Sequence, residues 1–97
     1  MSSFADIVRT ELVLPLMDLL ELLSMEGADV EFAWFSGVLN MLAEPDNEEM
    51  VLAAVIELSK CAFPGFVYSP EAAARIDALL ERAITLSHTM SAGATPQ

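Results

Sequence analysis

The chain has 97 residues, 55% hydrophobic and 20% charged, and its fifteen acids and four bases give a net charge of −11. Average soluble domains are about 45–50% apolar and about 25% charged, so a single small domain of this composition carries more apolar surface than one copy can bury. The acidic excess disfavours direct binding to nucleic acid or to an anionic membrane surface, because both are polyanions.

The sequence predicts four helices, and therefore an all-α, small four-helix bundle. Residues 1–92 are expected to form a single helical domain, with residues 93–97 as a flexible tail. The first helix begins at Ser2 or Ser3. Pro15 lacks a backbone donor and clashes with the preceding turn, so a kink or break is predicted near it. The apolar residues of this helix repeat at three- and four-residue spacing, which predicts a single buried stripe of Val8, Leu12, Leu16, Leu19 and Leu23.

The second helix is predicted to follow a left-handed cap at Gly27, to take Asp29 as its N-cap and to end before Pro45. Its apolar side consists of Phe35, Val38, Leu39 and Leu42, widened by Phe32, Trp34 and Met41. Ala33 and Gly37 lie one turn apart on the same face. Because glycine in mid-helix costs about 1 kcal/mol relative to alanine, we expect this pair to let another helix approach closely.

The third helix is predicted over residues 48–63, after a capping box formed by Asp46 and Glu49. The stretch from Met50 to Ile56 contains no polar residue, so this helix is apolar nearly all round. A helix of this kind belongs in the middle of a bundle or at an oligomer interface.

The fourth helix is predicted to begin with Ser69 as N-cap and Pro70 in the first turn. Its seam repeats every three or four residues: Ala72, Ile76, Leu79, Ala83, Leu86 and Met90. The preceding connector, 61–70, concentrates aromatic residues. We expect Phe63 and Phe66 to fold back and close the end of the bundle, with exposure as contact surface as the alternative, and Tyr68 to present its hydroxyl to water or to a partner.

No motif in the sequence indicates catalysis, a cofactor or a metal site. The acidic run 44–49 lacks the spacing and glycine turn of a calcium loop, and the single cysteine and single histidine do not form a zinc motif. The apolar stretches are short or interrupted by acids, so neither a membrane-spanning helix nor a secretory signal is expected. Cys61 is interpreted as a buried structural thiol. We therefore expect a cytoplasmic protein without enzymatic activity.

These features favour a non-catalytic helical interaction module, an adaptor, regulator or inhibitor that acts through an apolar helix face rimmed by acids. One variant is an acidic inhibitor of the phage type that occupies a basic surface of another protein. The alternative is a small-molecule carrier with an apolar cavity lined by Phe32, Trp34, Phe35 and methionines. The expected partners are a second copy, another protein, or both, without nucleic acid or membrane. The predicted interaction residues are Trp34, Met50, Phe66, Tyr68, Glu44, Asp46 and Glu48.

Overall fold

A computed structural model of the chain describes residues 3–60 and 66–94, which form four helices. Helix α1 joins three pieces end to end, an α-helix Phe4–Val8, a π-helix Arg9–Val13 and an α-helix Leu14–Met25. The remaining helices are α2 (Asp29–Met41), α3 (Glu48–Leu58) and α4 (Pro70–Ala94). Helix α1 packs against α2 and α4, and α3 also packs against α2 and α4, so the four helices close around one core. The predicted all-α four-helix bundle is confirmed.

The predicted interruption of the first helix near Pro15 is confirmed, and it takes the form of the π segment. Proline has no N–H, and its ring would clash with the carbonyl of Glu11 one turn earlier. The wider turn before Pro15 relieves that clash, and the Leu14 N–H donates to the carbonyl of Arg9, five residues back. The helix is therefore continuous from residue 4 to residue 25, with a π-helical segment at residues 9–13 between two α-helical ones.

The core is built from the stripes that the sequence predicts on α1 and α4. All five predicted α1 residues are at most 1% exposed, and the α4 seam is at most 5% exposed from Ala72 to Leu86. The α1 stripe and the α4 seam from Ala72 to Leu86 both face inward, so neither is available to a partner chain, and the side chain of Met90, the last predicted seam residue, lies outside the described ones. The buried core comprises Val8, Leu12, Leu16, Leu19, Leu20, Leu22, Leu23, Phe35, Val38, Leu42, Val51, Ala54, Val55, Leu58, Ala72, Ile76, Leu79, Ala83 and Leu86.

Three of the predicted helix ends are confirmed. Ser3 caps α1 in a capping box with Asp6. Gly27 has φ of 70° after the end of α1, a backbone conformation that glycine adopts without steric cost. At the start of α4 the Ala72 N–H donates to Ser69 Oγ at 3.1 Å, and the Ser69 hydroxyl donates to Glu26 Oε2 at 2.6 Å. One serine thus caps α4 and ties it to the end of α1.

Two predicted caps are wrong by one residue. The N-cap of α2 is Ala28, and Asp29 is its first helical residue, where a carboxylate favours the positive end of the helix. The N-cap of α3 is Asn47, whose Oδ1 accepts from the Met50 N–H at 3.2 Å, so the predicted capping box of Asp46 and Glu49 does not form. Asparagine is as good an N-cap as aspartate, and the sequence places the two side by side.

The outer limits of the helices also differ from the predicted ones. Helix α2 ends at Met41 and α3 at Leu58, both earlier than expected, while α4 continues to Ala94. Residues 66–69 form an irregular connector, as predicted. Cys61 and Phe63 lie outside the described residues, as do residues 95–97 of the expected tail.

Candidate protein-interaction site

Helix α3 is apolar on two sides but buries only one of them. Val51, Ala54 and Leu58 are fully buried against the neighbouring helices. On the remaining surface of this helix, Met50, Leu52 and Ile56 are 39%, 43% and 49% exposed. Helix α3 is therefore not enclosed within the bundle, which was one of its two expected positions. Its outer side leaves large apolar side chains in contact with solvent.

A groove runs between α2 and α3, and small residues form part of its floor. Ala33 and Gly37 are both exposed, and a Cβ atom added to Gly37 would meet no atom of the described residues beyond its own helix within 4 Å. No described helix therefore approaches Gly37 closely, and the expected approach of another helix to the Ala33–Gly37 face stays a prediction. The residues lining the groove, called here the α2–α3 groove, are Ala33, Trp34, Gly37, Val38, Met41 and Glu57.

The aromatic wall of the α2–α3 groove is held by neighbouring rings. The Trp34 indole meets Phe35 edge-on with ring centroids 4.8 Å apart, and meets Phe66 edge-on at 6.1 Å. Tyr68 lies 6.1 Å from Phe66 and 6.2 Å from Phe35 between centroids. The connector before α4 thus packs against α2 through Phe66, which is half-buried, and closure of the bundle end by Phe66 stays a prediction. Tyr68 is half-buried and packs against the core.

The predicted interaction residues fall into two groups. Trp34, Phe66 and Tyr68 come together in the aromatic cluster, of which only Trp34 lines the groove. The other four lie in the turn between α2 and α3 and in the first turn of α3: Glu44, Asp46, Glu48 and Met50.

Sequence reasoning missed most of the groove lining. Ala33 and Gly37 were noticed as a small-residue pair, but their exposure to solvent could not be deduced from spacing. From the sequence, Glu57 is expected on a narrow polar strip of α3 that faces solvent. In the structure it lines the groove, and its carboxylate pairs with Lys60 Nζ at 3.1 Å.

Charge is distributed unevenly over the bundle. The segment from Glu26 to Lys60, which contains α2 and α3, has eight acids and one lysine, whereas the rest of the chain has seven acids and three arginines. Each arginine is paired within its own region: Arg9 with Asp6 at 3.0 Å, Arg75 with Glu71 at 3.1 Å and Arg82 with Glu11 at 3.4 Å. The α2–α3 side therefore carries most of the net charge of the protein.

The groove on the opposite side of the bundle, between α1 and α4, has a different character. Arg75 and Arg82 line it together with Asp18 and Glu21, so its cations and acids balance. The Arg75 guanidinium also donates to the Asp18 carbonyl at 3.2 Å, which helps to hold α4 against α1. Unbalanced negative charge is thus a property of the α2–α3 side.

Within the described part of the chain, no group of three or more His, Cys, Asp or Glu side chains could hold a metal ion. None of the described helices is long and apolar enough to cross a membrane. Comparisons with known proteins identify no matching family model and no significant match among curated proteins or solved structures.

Proposed function

We propose that this protein is a non-catalytic interaction module that binds a helix of another protein in the α2–α3 groove. The observation that supports it most is the open floor of the groove at Gly37, where an added Cβ would contact none of the described residues outside its own helix. A mid-helix glycine costs about 1 kcal/mol relative to alanine. Close approach of a partner's backbone is a physical reason for having a residue without a side chain at this position.

The walls of the groove suit a helical occupant. Trp34 offers a flat apolar ring, and Met41 a flexible thioether side chain that adapts to different apolar shapes. An extended peptide would need a free strand edge for backbone hydrogen bonds, and the described residues contain no strand. A partner must therefore bind through side chains, as an amphipathic helix does when it lies in a groove.

The neighbouring apolar surface extends the same proposal. Met50 on α3 is 39% exposed and lies two turns before the groove residue Glu57 on the same face, so α3 carries further apolar contact area beside the groove. The carrier alternative has less support. Phe35 is fully buried and Phe32 lies at the surface, and neither lines the groove that contains Trp34.

Native mass spectrometry of protein purified from its own host tests the proposal. Three forms are compared: wild type, Gly37→Leu to fill the groove, and Ala74→Leu as a matched control at an exposed position on α4. We expect a polypeptide bound to wild type and to Ala74→Leu, and absent from Gly37→Leu. A bound small molecule would favour the carrier function instead. A polypeptide retained equally by Gly37→Leu would place the interface elsewhere on the protein.

A further inference from the structure

We infer that the occupant of the α2–α3 groove is a cationic amphipathic helix of another protein and not a second copy of this chain. This inference rests on the proposed function and adds the chemistry of the partner. It starts from the excess of seven negative charges between Glu26 and Lys60, the segment that supplies both groove helices.

Among the described residues, most acids of this segment have no cationic partner. In the described part of the chain, Glu57 is its only acid in an ion pair, and the partner of Glu57 is Lys60 of the same helix. The three arginines are engaged on α1 and α4. The acids without an ion pair are Glu26, Asp29, Glu31, Glu44, Asp46, Glu48 and Glu49.

This charge pattern determines which kind of helix the α2–α3 groove can bind. A second copy in a twofold dimer would bring the same acidic side, and like charges placed opposite each other disfavour association. A helix with lysines or arginines flanking an apolar stripe would bury that stripe on Ala33, Gly37 and Trp34. Its cations would then lie on the side of the bundle that carries the excess of carboxylates. Such complementarity speeds association and rejects helices of the wrong charge.

The test uses three synthetic helical peptides with one shared apolar stripe and with Lys, Gln or Glu at every polar position. None contains tryptophan, so the emission of Trp34, the only tryptophan of the protein, reports binding at the groove wall. We expect the Lys peptide to shift Trp34 emission and to bind roughly tenfold or more tighter than the Gln peptide at 0.1 M salt. The difference should shrink at 1 M salt, where the Debye length falls from about 10 Å to about 3 Å.

Two sets of variants then distinguish the contribution of charge to binding from the contribution of the groove itself. Replacing Glu44 and Glu48 by glutamine should weaken binding of the Lys peptide severalfold, whereas the matched α4 replacements Asp77→Asn and Glu81→Gln should leave it unchanged. Gly37→Leu should abolish the emission shift with every peptide, and Ala74→Leu should not.

The outcomes distinguish the inference from the function on which it rests. Equal affinities for the Lys and Gln peptides, both lost in Gly37→Leu, would overturn the inference and leave helix binding in place. Failure of all three peptides to bind wild type, or undiminished binding to Gly37→Leu, would overturn the proposed function itself.

Discussion

The indole of Trp34 meets the ring of Phe66 edge-on at a centroid distance of 6.1 Å, so the connector before α4 braces a groove-lining residue of α2. Phe66 in turn rests against Tyr68, and Tyr68 against the fully buried Phe35. The four rings link the groove wall to the core. Trp34 is thereby held in a defined orientation before any partner arrives, which lowers the entropic cost of binding.

Replacing Phe66 by alanine should lower the free energy of unfolding by about 2 kcal/mol, because a half-buried ring and its two edge-on contacts are lost. The fully buried Phe35 gives the reference, and Phe35→Ala should cost about 3–5 kcal/mol. Urea denaturation followed by circular dichroism measures both. A loss below about 1 kcal/mol for Phe66→Ala would mean that the connector contributes little to the fold.

Replacing Pro15 by alanine should change little, although proline breaks most helices. The π segment already accommodates the proline, and Val8 and Leu12 are fully buried with it in place. A regular α-helix would also keep them on the face of Leu16, because residues four apart differ by only about 40° around the helix. We therefore expect unchanged helical ellipticity and a stability within about 1 kcal/mol of wild type. A gain of a helical turn in ellipticity, or a clearly higher melting temperature, would show that Pro15 alone imposes the π turn.

Replacing Ser69 by alanine should destabilise the protein by about 1–2 kcal/mol, since the N-cap of α4 and the contact with Glu26 are lost together. Ser87→Ala is the matched control. Its hydroxyl donates to the Ile84 carbonyl within α4, and alanine is the better helix former there. Chemical denaturation of Ser69→Ala, Glu26→Gln and the double variant measures the coupling between the two residues. Strict additivity would show that Ser69 acts as a cap alone.

The helical faces were readable from the sequence because burial follows the period of the helix. The stripe from Val8 to Leu23 and the seam from Ala72 to Leu86 each repeat every three or four residues, and both lie in the core. The caps at Ser3 and Ser69 were equally clear, since each is followed by a typical first turn. The position of the α3 cap was not, because Asp46 and Asn47 are adjacent and either can cap a helix.

The groove could not be predicted because it depends on which helices are neighbours. Ala33 and Gly37 show only that something can approach closely, and the sequence contains no signal that this surface faces away from α1 and α4. The π segment is similarly hidden. Pro15 is visible in the sequence, but a regular turn and a widened turn both keep Leu12 and Leu16 on one side, so the buried stripe does not show whether the chain kinks, breaks or widens a turn.

Self-association should use the outer side of α3 rather than the acidic groove. The α1 and α4 seams are internal, whereas Leu52 and Ile56 remain exposed one turn apart. Because each copy carries a charge of −11, dimerisation should tighten as salt rises and screening increases. Sedimentation equilibrium across a salt series measures this.

The matched variants for this dimer are a Leu52→Gln, Ile56→Gln double variant, which should remain monomeric, and Val30→Gln on α2, which should behave as wild type. A monomer at every salt concentration and at high micromolar protein would rule out the homodimer. The outer side of α3 would then serve the same foreign partner as the groove.

The free energy of unfolding of Gly37→Leu tests the central claim most directly, namely that the α2–α3 groove is open in the free protein. Leucine is a better helix former than glycine, and its side chain would enter space that no atom of the described chain occupies near Gly37. We predict a stability equal to that of wild type or higher by up to about 1 kcal/mol. A loss of about 2 kcal/mol or more would show that the protein's own chain packs against Gly37, and would contradict the account.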